Sequence, residues 1–136
     1  VLDEGCPQVR LANRTAARAI ALADSFGERV SVVDWQDRNE TLAGAALLVN
    51  TTTQGMAGQT ALDIDLAQLP AGAIVNEIVY VPLETPLLAA ARARGHRAVD
   101  GIGMLLHQAR PGFRRWFGVD PSVTPELRAA VLGAAR

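Results

Sequence analysis

The sequence predicts an α/β fold in which a doubly wound parallel sheet has helices between successive strands. Three observations carry this reading. Short apolar runs at residues 9–12, 30–35, 47–52, 73–80 and 97–99 alternate with alanine-rich helical stretches, the pattern of βαβ units. Ile74, Val75, Ile78 and Val79 are nearly continuous, as in a strand covered on both faces. Leu47-Leu48-Val49 is expected to be a buried strand, and it breaks abruptly into Asn50, Thr51, Thr52, Thr53 and Gly55. In open parallel sheets ligands sit at the carboxyl ends of strands, so this break is the first place to look for one. An ordinary strand-to-turn transition would read the same way.

Taken in order, residues 1–5 read as the tail of a helix, with Gly5 at the stop position and Pro7 just beyond. After the first strand, Thr15 is a good N-cap and Asn13 suits the turn before it. The helix over 16–26 then stops at Gly27. The second strand leads to a short helix expected over 36–42. Residues 55–72 form a long loop with a helical turn near 65–69. Thr85-Pro86 combines a capping hydroxyl with proline at the first helical position, and that helix runs to Gly95. Asp100-Gly101-Ile102-Gly103 leads into a helix from Met104 to about Phe117, which Pro111 is expected to kink or split. Thr124-Pro125 starts a last helix, with Leu127, Val131 and Ala134 on one face.

The 136 residues suffice for one domain with a core, and a net charge of −1 gives no electrostatic case for nucleic acid. No apolar run approaches the roughly 20 residues of a membrane span, and no signal-peptide pattern opens the chain. Cys6 is the single cysteine, which favours a reducing, cytoplasmic setting. All 13 basic residues are arginine, so chemistry that needs a lysine amine must come from elsewhere.

Three groups of residues could carry function. Asn13-Arg14-Thr15 with Arg18 follows the first strand and opens a helix. In a dinucleotide-binding fold an acidic residue at the equivalent strand end holds the ribose 2′-hydroxyl of NAD, whereas arginine accommodates the 2′-phosphate of NADP. Arg14 offers a planar fork for phosphate, Thr15 sits at a helix N-terminus, and Arg18 lies one turn on. Two solvated arginines are the plainer alternative. Gly101 and Gly103 permit close approach to a flat ligand, with Met104 and Gln108 sharing a helix face beyond them; a core methionine at a helix start is the alternative. Tyr80 is expected to end the fourth strand, pointing at a ligand or packing beside Pro82. Asp63 and Asp65 read as solvated or capping rather than as an acid–base pair, and His96, His107 and Cys6 lack metal-type spacing.

Four ordered segments resemble the C-terminal NADP-binding domain of shikimate dehydrogenase. They are Asn13-Arg14-Thr15 with Arg18; Val49-Asn50-Thr51-Thr52 with Gly55-Met56; Ile78-Val79-Tyr80-Val81-Pro82 with Thr85-Pro86-Leu87; and Asp100-Gly101-Ile102-Gly103-Met104 with Gln108-Ala109. The resemblance covers nearly the whole chain. It implies a Rossmann-like fold and NADPH-dependent reduction of 3-dehydroshikimate to shikimate, in aromatic amino acid biosynthesis. By resemblance, Asn13, Arg14, Thr15 and Arg18 would hold the adenosine 2′-phosphate. Thr52, Thr53, Ile78, Gly101 and Met104 would line the dinucleotide and nicotinamide site. Tyr80 and Gln108 would touch substrate. Residues 1–118 would be the NADP-binding domain, and 119–136 a C-terminal helix packing back toward a substrate domain.

The family's first strand and glycine-rich loop have no counterpart in these residues. The substrate domain, with the family's catalytic lysine and aspartate, has none either. The expectation is therefore part of a longer enzyme, without turnover alone and with open strand edges where the first strand would lie. Asn76 stands where the family usually has aspartate, which questions one loop-anchoring or charge role. The alternatives are a non-catalytic NADP-binding or sensing module and a quinate/shikimate dehydrogenase. The expected partners are small molecules rather than nucleic acid or membrane, with a homodimer left open.

Overall fold

A computed structural model describes residues 1–134, apart from the side chain of Ala134. The element order is β1 (Val9–Ala12), α1 (Ala16–Asp24), β2 (Val30–Val33), β3 (Leu47–Asn50), β4 (Ile74–Glu77), α2 (Pro86–Ala93), β5 (Arg97–Val99), α3 (Ile102–Phe117) and α4 (Pro125–Ala134). Every strand pairing among the described residues is parallel, as expected of βαβ units. The strands do not form one sheet: β1 pairs with β2, and β3-β4-β5 form a second sheet. No described strand joins β1 to β3. The chain divides into two compact units.

The first unit comprises Val1–Ala45 and Ile64–Pro70. Residues 1–6 make the hydrogen bonds of a helix C-terminus. Gly5 N–H donates to Leu2 O at 3.2 Å and Cys6 N–H to Val1 O at 3.1 Å, with Gly5 at φ 91°. Helix α1 buries Ala19 and Ala23 and packs on β1 and β2. Its alanines let the helix lie close to the strands. The helix expected over 36–42 is instead two 3₁₀ turns, Trp35–Asp37 and Glu40–Leu42. Asp34 explains part of this, since its carboxylate accepts the Gln36 N–H at 2.9 Å and competes with helical pairing. Asp65 caps the 3₁₀ turn Leu66–Gln68 by accepting from Ala67 N–H at 2.9 Å, the ordinary role expected of it.

The second unit comprises Ala46–Asp63 and Ala71 onward. Its core includes Val75, Leu88, Ala91 and Ile102, all 0% exposed, where α2 lies on β4 and β5. The Thr85 hydroxyl caps α2 by accepting from Leu88 N–H at 3.3 Å, with Pro86 in the first turn as the sequence predicts. One expectation fails, and at Pro111 one of two expected outcomes is not seen. Leu47 and Val49 are 44% and 39% exposed, so β3 is not a buried strand. It pairs on one side only, and alternate side chains face outward. Pro111 does not split α3, which runs continuously through Phe117 at the loss of one backbone donor. Thr124 caps α4 by accepting from Leu127 N–H at 3.2 Å. Leu127 is exposed and Val131 half-buried, while the side chain of Ala134 lies outside the described residues.

The first turn of α4 carries a pH-dependent element. Glu126, fully exposed, is held below its ordinary value of 4.5 by a backbone hydrogen bond and by the Thr124 hydroxyl. A carboxylate depressed on folding adds stability above its unfolded value and loses it as pH falls through the lower folded value. Helicity at α4 is therefore expected to decline below about pH 4.5. In Glu126→Gln this step should vanish from a residue-resolved NMR titration.

Candidate functional site

In the first unit, β1 ends at Ala12 and delivers the chain to the α1 N-terminus. Asn13 Oδ1 accepts the Thr15 N–H at 3.5 Å, a local turn that sets up Thr15 as N-cap. Thr15 has extended φ/ψ of −102° and 93°, and its side chain makes no cap hydrogen bond. No acidic residue occupies the first turn of α1, and both Arg14 and Arg18 are exposed. The helix start thus combines free N–H groups, an uncommitted hydroxyl and two guanidinium groups. That donor set suits a phosphate dianion.

In the second unit the carboxyl ends of β3, β4 and β5 carry the other candidates. At the end of β3, Asn50 is 3% exposed and organises the turn after it. Its Oδ1 accepts from Thr52 N–H at 3.0 Å and from the Thr52 hydroxyl at 2.8 Å, and its Nδ2 donates to Gln54 O at 3.2 Å. The Thr52 hydroxyl also accepts from Gln54 N–H at 3.1 Å, so it serves the turn itself, while Thr53 is exposed. Beyond β4, the Ile78 N–H donates to Asn50 O at 3.2 Å. Tyr80 lies three residues past the end of β4, not within it, and is 37% exposed.

Gly101 follows β5 and behaves differently from the sequence expectation. A Cβ there would lie 2.3 Å from the Ile78 carbonyl oxygen and 2.6 Å from that of Val79. The close approach requiring glycine at 101 is therefore to the chain's own backbone. Gly103, by contrast, has open space where a Cβ would stand. Met104 is 38% exposed, and Gln108, one turn further along α3, is exposed on the same face.

Two anchoring features escaped sequence reading. Glu77 is a fully buried carboxylate in β4, hydrogen-bonded to Asn50 and Thr85. A charged residue among Ile74, Val75, Ile78 and Val79 was the available signal. The second feature is Asp100, which accepts Ile102 N–H at 3.2 Å to cap α3 and also receives a two-pronged contact from Arg128 on α4. The prongs are Nη1–Oδ1 at 3.2 Å and Nη2–Oδ2 at 2.6 Å. Nothing in the spacing of these residues announces the pairing. Because Arg128 is 36% exposed, Arg128→Ala is expected to cost only on the order of 1 kcal/mol in thermal unfolding. Arg128→Lys should recover little, lacking the planar fork.

Parallel strands alternating with helices, with candidate groups at the strands' carboxyl ends, define a Rossmann-like α/β fold. Quinate dehydrogenase from Corynebacterium glutamicum, solved with NAD, aligns at a TM-score of 0.87 with 34% identity, over 97% of this chain and 48% of that one. Shikimate 5-dehydrogenase from Thermus thermophilus, solved with NADP(H) and shikimate, aligns at 0.78 with 32% identity, over 99% and 49%.

More particularly, the chain is similar to shikimate dehydrogenases. Residues 101–132 match the family model of the shikimate 5'-dehydrogenase C-terminal domain. The shikimate dehydrogenase (NADP(+)) of Paramagnetospirillum magneticum is 62% identical over 130 residues, which is 96% of this chain and 47% of that protein. The chain spans about half the length of the curated relatives it matches.

Proposed function

We propose that this chain is the cofactor-binding part of a cytoplasmic shikimate dehydrogenase that reduces 3-dehydroshikimate to shikimate with NADPH. The observation that carries the reading is Arg14 at the end of β1, beside a helix N-terminus with no acidic residue in its first turn. Asn13, Arg14, Thr15 and Arg18 hold the 2′-phosphate. Thr52, Thr53, Ile78, Gly101 and Met104 line the dinucleotide and nicotinamide region, Gly101 through its tight seat on Ile78 and Val79. Tyr80 and Gln108 face the substrate. Residues 1–118 act as the NADP-binding domain, and 119–136 pack toward a substrate domain.

When bound, NADPH supplies a hydride to the carbonyl carbon of the substrate. The residues of this chain bind and orient the two reactants. With no lysine among its 136 residues, the chain cannot supply the lysine–aspartate pair the resemblance implies, so it is expected to be inactive alone. The similarity to an NAD-bound quinate dehydrogenase keeps that activity as a second reading.

The test is NADPH formation from shikimate and NADP⁺ by the complete gene product that carries this chain. Shikimate-dependent reduction is expected. Faster turnover with quinate and NAD⁺ would favour the second reading, and cofactor binding without turnover would favour a non-catalytic module. Sedimentation of the same material tests the homodimer.

A further inference from the structure

Glu77 is the one buried carboxylate among the described residues, and its hydrogen bonds come from uncharged donors. Asn50 Nδ2 donates to both carboxylate oxygens, at 3.0 and 2.9 Å. The Val79 N–H reaches Oε1 at 3.1 Å and the Thr85 hydroxyl reaches Oε2 at 3.2 Å. The Thr85 oxygen is already accepting from Leu88 N–H, which leaves its proton for Glu77. Gly55, at φ 92°, closes the turn above. A Cβ there would lie 3.4 Å from the Thr85 side chain and 3.9 Å from Glu77 Oε2.

A single carboxylate therefore touches three separate segments. Through Asn50 it reaches the turn carrying Thr52 and Thr53. Through the Val79 N–H it reaches the segment carrying Ile78 and Tyr80. Through Thr85 it reaches the start of α2. Burying a carboxylate without a cation is unfavourable for folding as such, and an apolar side chain would serve strand β4 better. Networks of this kind gain their value by fixing one geometry, because every member is satisfied in only one arrangement.

We propose that Glu77 is the positioning residue of the nicotinamide end of the site, holding the 51–56 turn and the 78–80 segment in one fixed relation. The inference rests on reading those segments as cofactor- and substrate-facing. Glu77→Gln keeps the size and shape of the side chain but puts an N–H₂ where an acceptor stood, against donors on both sides. Exchanging the groups in Asn50→Asp with Glu77→Gln restores a carboxylate–amide contact between β3 and β4, but it leaves the new amide nitrogen at 77 against either the Val79 N–H or the Thr85 hydroxyl and sets a carboxylate oxygen at 50 against Gln54 O.

The experiment compares the parent, the single variant and the exchanged pair in the complete gene product, well below their unfolding temperatures. For Glu77→Gln, NADPH affinity is expected to fall about ten-fold, the equivalent of one lost hydrogen bond. The value of kcat should fall further, up to ~10²-fold, since a small displacement near the reacting atoms is costly. The preference for NADP over NAD should stay unchanged, because it is set at the α1 N-terminus. The exchanged pair should recover only the part of both losses that comes from the 50–77 contact. Unchanged kcat and affinity in folded Glu77→Gln would overturn the proposal, as would losses that merely follow the unfolded fraction.

Amide exchange keeps this test separate from the functional reading. If the parent binds no NADPH, the cofactor reading fails. Joint loss of protection at Thr52, Gln54, Val79 and Leu88 in Glu77→Gln would still uphold the tie, and unchanged protection would refute it.

Discussion

Gly101→Ala should lower the unfolding free energy by about 3 kcal/mol or more, at the top of the range for overpacking. The new methyl carbon would sit 2.3 Å from Ile78 O, 2.6 Å from Ile78 C and 2.6 Å from Val79 O. All three are backbone atoms at the end of β4, so no side-chain rotation can relieve the clash. The backbone angles at Gly101, −75° and −12°, are open to any residue, so the penalty is steric rather than conformational. Gly103→Ala is the contrasting variant. Its methyl group meets open space, and in the first turn of α3 it should stabilise by about 0.5–1 kcal/mol. Thermal melts of the two variants, shifted in opposite directions, check both expectations. A neutral Gly101→Ala would show that the Ile78–Gly101 approach is not part of the folded molecule. Weaker NADPH binding by a stabilised Gly103→Ala would support the ligand-facing role proposed for that loop.

The second large effect is on cofactor choice. Replacing Arg14 and Arg18 together by alanine should weaken NADP binding by about 10–100-fold. Each charge-assisted hydrogen bond to phosphate is worth roughly 1.5–3 kcal/mol, reduced here because both side chains are solvent-exposed. NAD binding should change by less than about three-fold, since NAD has no 2′-phosphate to lose contact with. Titrating both cofactors against the parent and double variant, at low and moderate salt, makes the comparison. Equal losses for the two would place Arg14 and Arg18 outside the 2′-phosphate site.

Much of the architecture was legible because local patterns matched the elements they encode. Thr15 and Thr85 mark the starts of α1 and α2, and the five apolar runs became five strands, paired in parallel within each sheet. Where reading failed, a non-local cause was at work. The apolar letters of Leu47 and Val49 say what a strand prefers to bury, whereas their exposure depends on which strand lies alongside. The 36–42 segment was misread because Asp34 and its polar neighbours offer the backbone local alternatives to helical bonding. At the site, the residues at strand ends could be named from position alone. The glutamate beneath them could not be given a purpose without its partners. Glu77 acquires meaning only when Asn50, 27 residues earlier, and Thr85, eight later, are brought against it. Gly101 was correctly singled out for close approach, but the approaching group proved to be the carbonyls of Ile78 and Val79.

The one-sided pairing of β3 also bears on how this polypeptide behaves in a test tube or a cell. Leu47 and Val49 stand on a strand whose second row of N–H and C=O groups has no described strand to bond. Such a row is a template: any extended segment of the right polarity can zip onto it, including the same strand of another molecule. Expressed by itself, the chain is therefore expected to cloud with increasing concentration, a tendency that Val49→Lys should blunt in a light-scattering series. Solubility, rather than affinity, is the property that reports whether this edge has been covered.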